Sequence, residues 1–233
     1  GYTYTAGWQV EAAAHEVKEH ALAVLQRQWK ESQAHLGAHL DLYQIHSATL
    51  ESGVLADREV LTALARLKDG GTAIGLSVSG EDQGAVIDRA LETTIDGVRL
   101  FDAVQATWNL LEVSAGPALA RAAAAGIGVI VKEALANGRL TEANQDPEFE
   151  RQRALLRREA LRLATTMDAL AMAAALAQPW ASVVLSGAAT TSHLVSNLRA
   201  TDVIWDDRAA ESLENLVEPP EVYWKTRARL NWN

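Results

Sequence analysis

A chain of 233 residues, 48% of them hydrophobic, can bury one large core or two small ones, and its formal net charge of -9 disfavours nucleic acid or an anionic membrane surface as partner. The absence of cysteine excludes disulfides, thiolate nucleophiles and Cys-based metal sites, and fits a reducing, cytoplasmic location. No apolar run approaches the roughly 20 residues that span a bilayer, so no membrane partner is expected.

The N-terminal Gly1-Tyr2-Thr3-Tyr4-Thr5 lacks both the pattern of a signal peptide and an initiating Met, which leads us to expect polypeptide upstream. From about His15 to Gly37 the pattern is helical, with Leu22, Leu25, Trp29 and Leu36 on one face and Gly37 as terminator. Leu40–His46 reads as a strand buried on both faces, with a histidine at its carboxyl end. Asp57–Asp69 is helical and stops at Gly70-Gly71, Ala73–Val78 is a strand, and Glu81–Glu92 is a helix. Val98–Gln105 reads as one further strand, Ala118–Ala125 as an Ala-rich helix, and Ile127–Val131 as a strand rich in β-branched residues. The region from about Pro147 to Gln178 is helical, charged in its first half and apolar in its second, which predicts two helices with a break near Thr165-Thr166. Ser182–Leu185 is a strand, and helices follow over about Thr191–Arg199 and Asp206–Leu216. After Pro219-Pro220 comes an aromatic, basic tail, read either as a loop over the site or as a plain C-terminal helix.

Strands therefore alternate with helices five times at about 30 residues per unit, which predicts right-handed βαβ units and a parallel sheet. Five such strands fit an open doubly wound sheet or most of a closed barrel. No linker or short repeat divides the chain, so a single domain over 1–233 is expected, with its last helices and tail at about 201–233.

In parallel α/β barrels the carboxyl ends of the strands carry the chemistry. His46 occupies such an end, where a functional or a hydrogen-bonded structural role is open. Lys132-Glu133 occupies another, as a site signal or as an ion pair. Asp102 interrupts its strand, and a structural role is expected for it. Glu51 and Glu133 form a conceivable acid and base pair. His15 and His20 lie five apart, turning a helix by about 500°, so they do not share the face a zinc-binding helix requires; no metal site is expected. Gly187-Ala188-Ala189-Thr190-Thr191 joins a strand to a helix start, where exposed amides suit an anion. No strand is followed by Gly-x-Gly-x-x-Gly, and there is no Walker loop.

In this order the segments resemble the aldo-keto reductases. Leu40–His46 resembles the family's fourth strand, which ends in the active-site histidine, and Ile74-Gly75-Leu76-Ser77 resembles the fifth, whose Ser binds the nicotinamide carboxamide. Val104-Gln105-Ala106-Thr107-Trp108-Asn109 is similar to the sixth strand and its exit, with a Gln for the carboxamide and an aromatic that stacks on the nicotinamide. Leu135-Ala136-Asn137-Gly138-Arg139-Leu140 matches the segment after strand seven. Val184-Leu185-Ser186-Gly187-Ala188, with His193-Leu194 and Asn197-Leu198, is similar to strand eight and the adenosine-binding helix. The resemblance covers about residues 21–200.

The resemblance implies a (β/α)8 barrel of the TIM type, with about five βα units in this chain and NAD or NADP across its carboxyl face. It implies reduction of an aldehyde or ketone, with His46 orienting the carbonyl. Ser77, Gln105, Trp108, Ala134, Leu135, Ala189, His193 and Asn197 would hold the cofactor. The family's proton-donating Tyr, its Lys and its Asp correspond to positions before Gly1, so this chain is expected to be N-terminally truncated and inactive alone. Tyr2 and Tyr4 do not match that Tyr. Val78 stands in place of a usual Asn, His193 in place of an Arg common in NADP-preferring members, and Gly187 in place of a Lys, so 2′-phosphate contacts are not evident. Lys132-Glu133-Ala134 replaces a segment that often reads Tyr-Ser-Pro. Exposed sheet edges in such a partial barrel would favour self-association. Two other functions are carried as alternatives: a hydrolase using His46 with Glu133, Lys132 or Glu51, and a non-catalytic nucleotide-binding subunit.

Overall fold

The computed structural model describes residues 2–3 and 17–230 and separates into two compact units, 1–104 and 105–233. In the first, β1 (Tyr2–Thr3) pairs antiparallel with β2 (Val17–Lys18). The expected helix over 15–37 therefore begins late: Val17 and Lys18 are extended, and α1 spans Leu22–Leu36. Gly37, at φ +52°, closes α1 by donating its N–H to the Gln33 carbonyl, a backbone geometry that suits glycine. His15 lies outside the described residues, as does Tyr4.

The strand expected at Leu40–His46 forms two residues later, as β3 (Leu42–Ala48). Asp57 caps α2 (Arg58–Asp69) by accepting the amides of Glu59 and Val60 at 3.0 and 3.1 Å. β4 (Ala73–Val78) runs parallel to β3, with Leu42 opposite Ala73 and Ile45 opposite Leu76. The register then slips, and Ala48 faces Val78. Every residue from Ile74 to Val78 is buried, Ile74, Leu76 and Val78 on one face and Gly75 and Ser77 on the other, as a strand covered on both faces requires. α3 follows at Gln83–Glu92.

The strand expected over 98–105 is two strands. β5 (Thr94–Ile95) and β6 (Val98–Arg99) form an antiparallel hairpin closed by Asp96 and Gly97, both at positive φ, the geometry of an Asp-Gly turn. The chain rejoins the main sheet only at β7 (Ala103–Thr107). Between them Asp102 forms a clasp. Its carboxylate accepts the Ile74 amide at 2.9 Å and the Lys68 ammonium at 2.7 Å, while Lys68 also donates to the carbonyls of Arg99 and Leu100. The structural role expected of Asp102 is thus to pin the chain where it turns into the sheet.

In the second unit α4 (Gly116–Ala124) leads into β8 (Gly128–Lys132). The long helical region breaks where expected, into α5 (Glu150–Arg162) and α6 (Met167–Leu176), with the Thr166 hydroxyl capping α6. α6 is buried from Ala169 to Ala175, whereas α5 carries an ionic network: Glu159 holds Arg162 at 2.7 Å, and Arg162 holds Asp206 at 2.8 Å. β9 (Val183–Val184) runs parallel to β8. α7 (Thr191–Leu198), α8 (Asp207–Leu213) and α9 (Pro220–Arg227) complete the chain. The tail is helical, as one of the two readings had it, and through Tyr223 and Arg227 it also reaches Asn109 and Glu133, as the other had it. The main sheet has five parallel strands in the order β3-β4-β7-β8-β9, so the fold is α/β with a parallel sheet.

Candidate active site

In the first unit the candidate residues lie at the carboxyl ends of β3 and β4. His46 is exposed, and its carbonyl accepts a hydrogen bond from His20 Nε2 at 2.9 Å. Because a carbonyl only accepts, that contact fixes the His20 proton on Nε2. Burial, with Lys18 and His46 nearby, holds the His20 imidazole below its ordinary value against the pull of this bond. Ser47 adopts φ +50°, a left-handed conformation that costs a non-glycine residue about 1–2 kcal/mol. Ser77 Oγ, on a residue only 4% exposed, accepts the Ser47 amide at 2.9 Å and so holds the turn. The Ser77 hydroxyl proton remains to be given to another acceptor. A cleft of about 510 Å³ opens beside His46, between α1 and β3, lined by Leu25, Tyr43, Ile45 and Val60 among others.

In the second unit the carboxyl ends of β7 and β8 carry a denser polar cluster. Gln105 is half-buried within β7, and Trp108 just beyond it is buried edge-on to Trp180, ring centres 5.6 Å apart. Asn109 is wholly buried and fully bonded. Its Nδ2 donates to the Glu133 carbonyl at 2.9 Å and the Tyr223 hydroxyl at 3.0 Å, and its Oδ1 accepts the amides of Leu111 and Glu112 at 2.9 and 3.1 Å. Burial, reinforced by the negative charge of Glu133, pushes the Tyr223 phenol far up, which keeps it neutral.

Lys132 ends β8. Its ammonium donates to Thr107 Oγ1 at 3.0 Å and stands 3.6 Å from the Glu133 carboxylate. Glu133, at φ +56°, binds Arg227 of α9 more tightly, at 2.7 Å. The ion pair foreseen for this dipeptide is therefore present, with Arg227 as its principal cation. Ala134 is buried and Leu135 half-buried in the turn that follows.

The remaining candidates lie around α7. Asn197 is 4% exposed, and both hydrogens of its Nδ2 go to Ser186, to the carbonyl at 3.1 Å and to Oγ at 3.0 Å. Its Oδ1 is thereby left as the acceptor. Thr190 caps α7 by accepting the His193 amide at 3.2 Å, and Ala189 and His193 are exposed on either side of that cap. Thr107, Asn109, Tyr223 and Arg227 are the cluster members that sequence reasoning missed. Thr107 and Asn109 adjoin a residue it had singled out, but the α9 partners lie 94 and 114 positions away, and no pattern connects them.

A sequence model of the aldo/keto reductase family matches residues 10–218. Among solved structures, aldo-keto reductase AKR11C1 from Bacillus halodurans in its holo form aligns at TM-score 0.74 and 19% identity, covering 94% of this chain and 71% of that one. Its apo form aligns at 0.66 and 20% identity, over 84% and 69%. A thermostable aldo-keto reductase in complex with the inhibitor epalrestat aligns at 0.63 and 20% identity, over 82% and 65%. At such identities the likeness speaks for the fold, the (β/α)8 type. No curated protein matches the chain.

Proposed function

The chain belongs to the aldo/keto reductase family, a family of oxidoreductases, and from that premise we propose that it takes part in nicotinamide-dependent reduction of an aldehyde or ketone. The observation that carries this reading is the family match across residues 10–218. When bound, NADH or NADPH would supply the hydride. Each of the two units carries donors that suit such a nucleotide. Ser77 has a hydroxyl proton to give a carboxamide oxygen, and the Gln105 amide can both donate and accept. Asn197, its Nδ2 committed to Ser186, offers Oδ1 to the exocyclic amine of adenine. Ala189 and His193, at the N-terminal cap of α7, flank amides suited to phosphate oxygens. Ala134 and Leu135 would contact the cofactor, Trp108 would stack on the nicotinamide, and His46 would orient the carbonyl.

The test is a fluorescence titration of the protein with NADPH and, separately, NADH, followed by aldehyde-dependent loss of nicotinamide absorbance. Saturable quenching that weakens in Asn197→Ala and Ser77→Ala is expected. Failure of both nucleotides to bind saturably would overturn the reading.

A further inference from the structure

We propose that the cleft beside His46 holds the body of the carbonyl compound and selects apolar aldehydes and ketones that are neutral or cationic, excluding anionic ones such as keto acids and sugar phosphates. That the ligand is a carbonyl compound rests on the reading above; its body is chosen by residues of the first unit alone.

The cleft, of about 510 Å³, has the size of a small-molecule pocket. Leu25, Ser32 and Leu36 recur at whole turns of α1 and so share the helix face turned to it. On β3, Tyr43 and Ile45 lie on one face of the strand and His46 on the other, yet all three line the cleft, which therefore runs along the strand's edge to His46. Val60 and Leu64, one turn apart on α2, add buried apolar surface. Walls of this kind favour a ligand with apolar surface of its own.

Charge narrows the ligand further. Among the described residues, those lining the cleft include Glu19 and Glu31 but no lysine or arginine. The cation paired with Glu31, Arg27, stands 3.9 Å away, and both side chains are more than half exposed, so the pair is weak and the carboxylate keeps most of its field. Burial, with the Glu31 carboxylate second, pushes the Tyr43 phenol up, and the ring meets the cleft uncharged. Trp29 braces that ring edge-on, at 5.1 Å between centres. An anion entering here meets carboxylates that no lining lysine or arginine offsets, whereas an ammonium meets a carboxylate and an aromatic ring, both of which attract it.

The test is calorimetric titration of the intact chain, without nucleotide, at about pH 8, above the range in which ordinary imidazoles carry charge. Three ligands share one ring system: naphthylmethanol, naphthylmethylamine and naphthoate. The alcohol and the amine should bind, and naphthaldehyde should displace the alcohol. The amine should bind about fivefold or more tightly than the naphthoate, because attraction of one and repulsion of the other by a rim carboxylate add. Ser32→Trp, which fills the cleft from α1, should abolish binding of all three, with circular dichroism confirming the fold. Glu31→Lys should bring the naphthoate level with the amine or ahead of it. Glu214→Lys, the same change of net charge at an exposed residue of the other unit, should leave the order as it was. No binding of naphthylmethanol, binding that survives Ser32→Trp, or an order unmoved by Glu31→Lys overturns the proposal. Nucleotide binding without naphthyl binding would sink the cleft assignment and leave the reductase reading standing; naphthyl binding in the expected order, with neither nucleotide bound, would do the reverse.

Discussion

Replacing Asn109 by Leu, which has the same number and branching of side-chain heavy atoms, removes a side chain whose four hydrogen-bonding valences are all used inside the core. The four partners do not suffer equally. The Glu133 carbonyl keeps the Ala136 amide at 2.8 Å, and the Glu112 amide keeps the Asn109 carbonyl at 3.2 Å. Those two lose a net hydrogen bond each, worth about 1 kcal/mol apiece. The Leu111 amide and the Tyr223 hydroxyl lose the partner Asn109 gave them and stay buried, at about 1–3 kcal/mol each. Even the low end of these ranges gives a loss of about 4 kcal/mol, a large share of a typical 5–15 kcal/mol stability. For a chain of this size that corresponds to a fall in Tm of about 8–16 °C. Thermal unfolding followed by circular dichroism, with urea unfolding followed by tryptophan fluorescence, would measure it. Asn109→Asp should lose at least as much, because a carboxylate would then face the Glu133 carbonyl. A loss below about 1 kcal/mol in Asn109→Leu would refute the claim that this one side chain ties β7, β8 and α9 together.

Gly75→Ala should cost about 1–3 kcal/mol through overpacking, because a Cβ there would lie 3.0 Å from the Ala103 carbonyl oxygen and 3.1 Å from Gln44 Cγ; a change under about 0.5 kcal/mol in urea unfolding would show that the strand yields. Asp206 is held down to about 2, first by Arg162 and then by the Ala209 amide. A depressed carboxylate stabilises the folded state above its unfolded value, 3.8, and that stability is lost as pH falls through about 2. Acid titrations of stability should therefore separate wild type from Asp206→Asn above pH 4 and converge as pH falls to about 2; parallel curves would refute the assignment.

Local chemistry made much of this fold legible. The Asp57 cap and the apolar run of β4 predicted elements that form almost residue for residue, and so did the change from charged to apolar sequence that separates α5 from α6. Expectations failed where a long-range contact overrides local pattern. Residues 98–105 look like one strand because nothing nearby shows that Lys68, more than thirty positions earlier, will seize Asp102 and the carbonyls before it. Val17 and Lys18 continue a helical pattern, yet they pair with Tyr2 and Thr3. The site divides in the same way. Charge at a strand end drew attention to Lys132-Glu133, and an apolar run ending in His drew attention to residue 46. Their partners on α9, and the contact between His20 and the His46 carbonyl, are products of folding.

Two strand ends solve the same problem alike. His46 and Lys132 each immediately precede a non-glycine residue in the left-handed conformation, Ser47 at φ +50° and Glu133 at φ +56°. In both cases a polar side chain from another strand or its exit holds the strained residue's backbone: Ser77 Oγ takes the Ser47 amide, and Asn109 Nδ2 donates to the Glu133 carbonyl. Strain of about 1–2 kcal/mol persists only where its surroundings over-determine the backbone. Glycine would give the same turn without that cost, but it would leave the preceding side chain on a freer backbone. The non-glycine residues, locked from the side, fix where the imidazole and the ammonium stand. That makes Ser77 and Asn109 positioning residues for whatever His46 and Lys132 do, and it explains why two polar side chains are buried so deeply beside groups that are not.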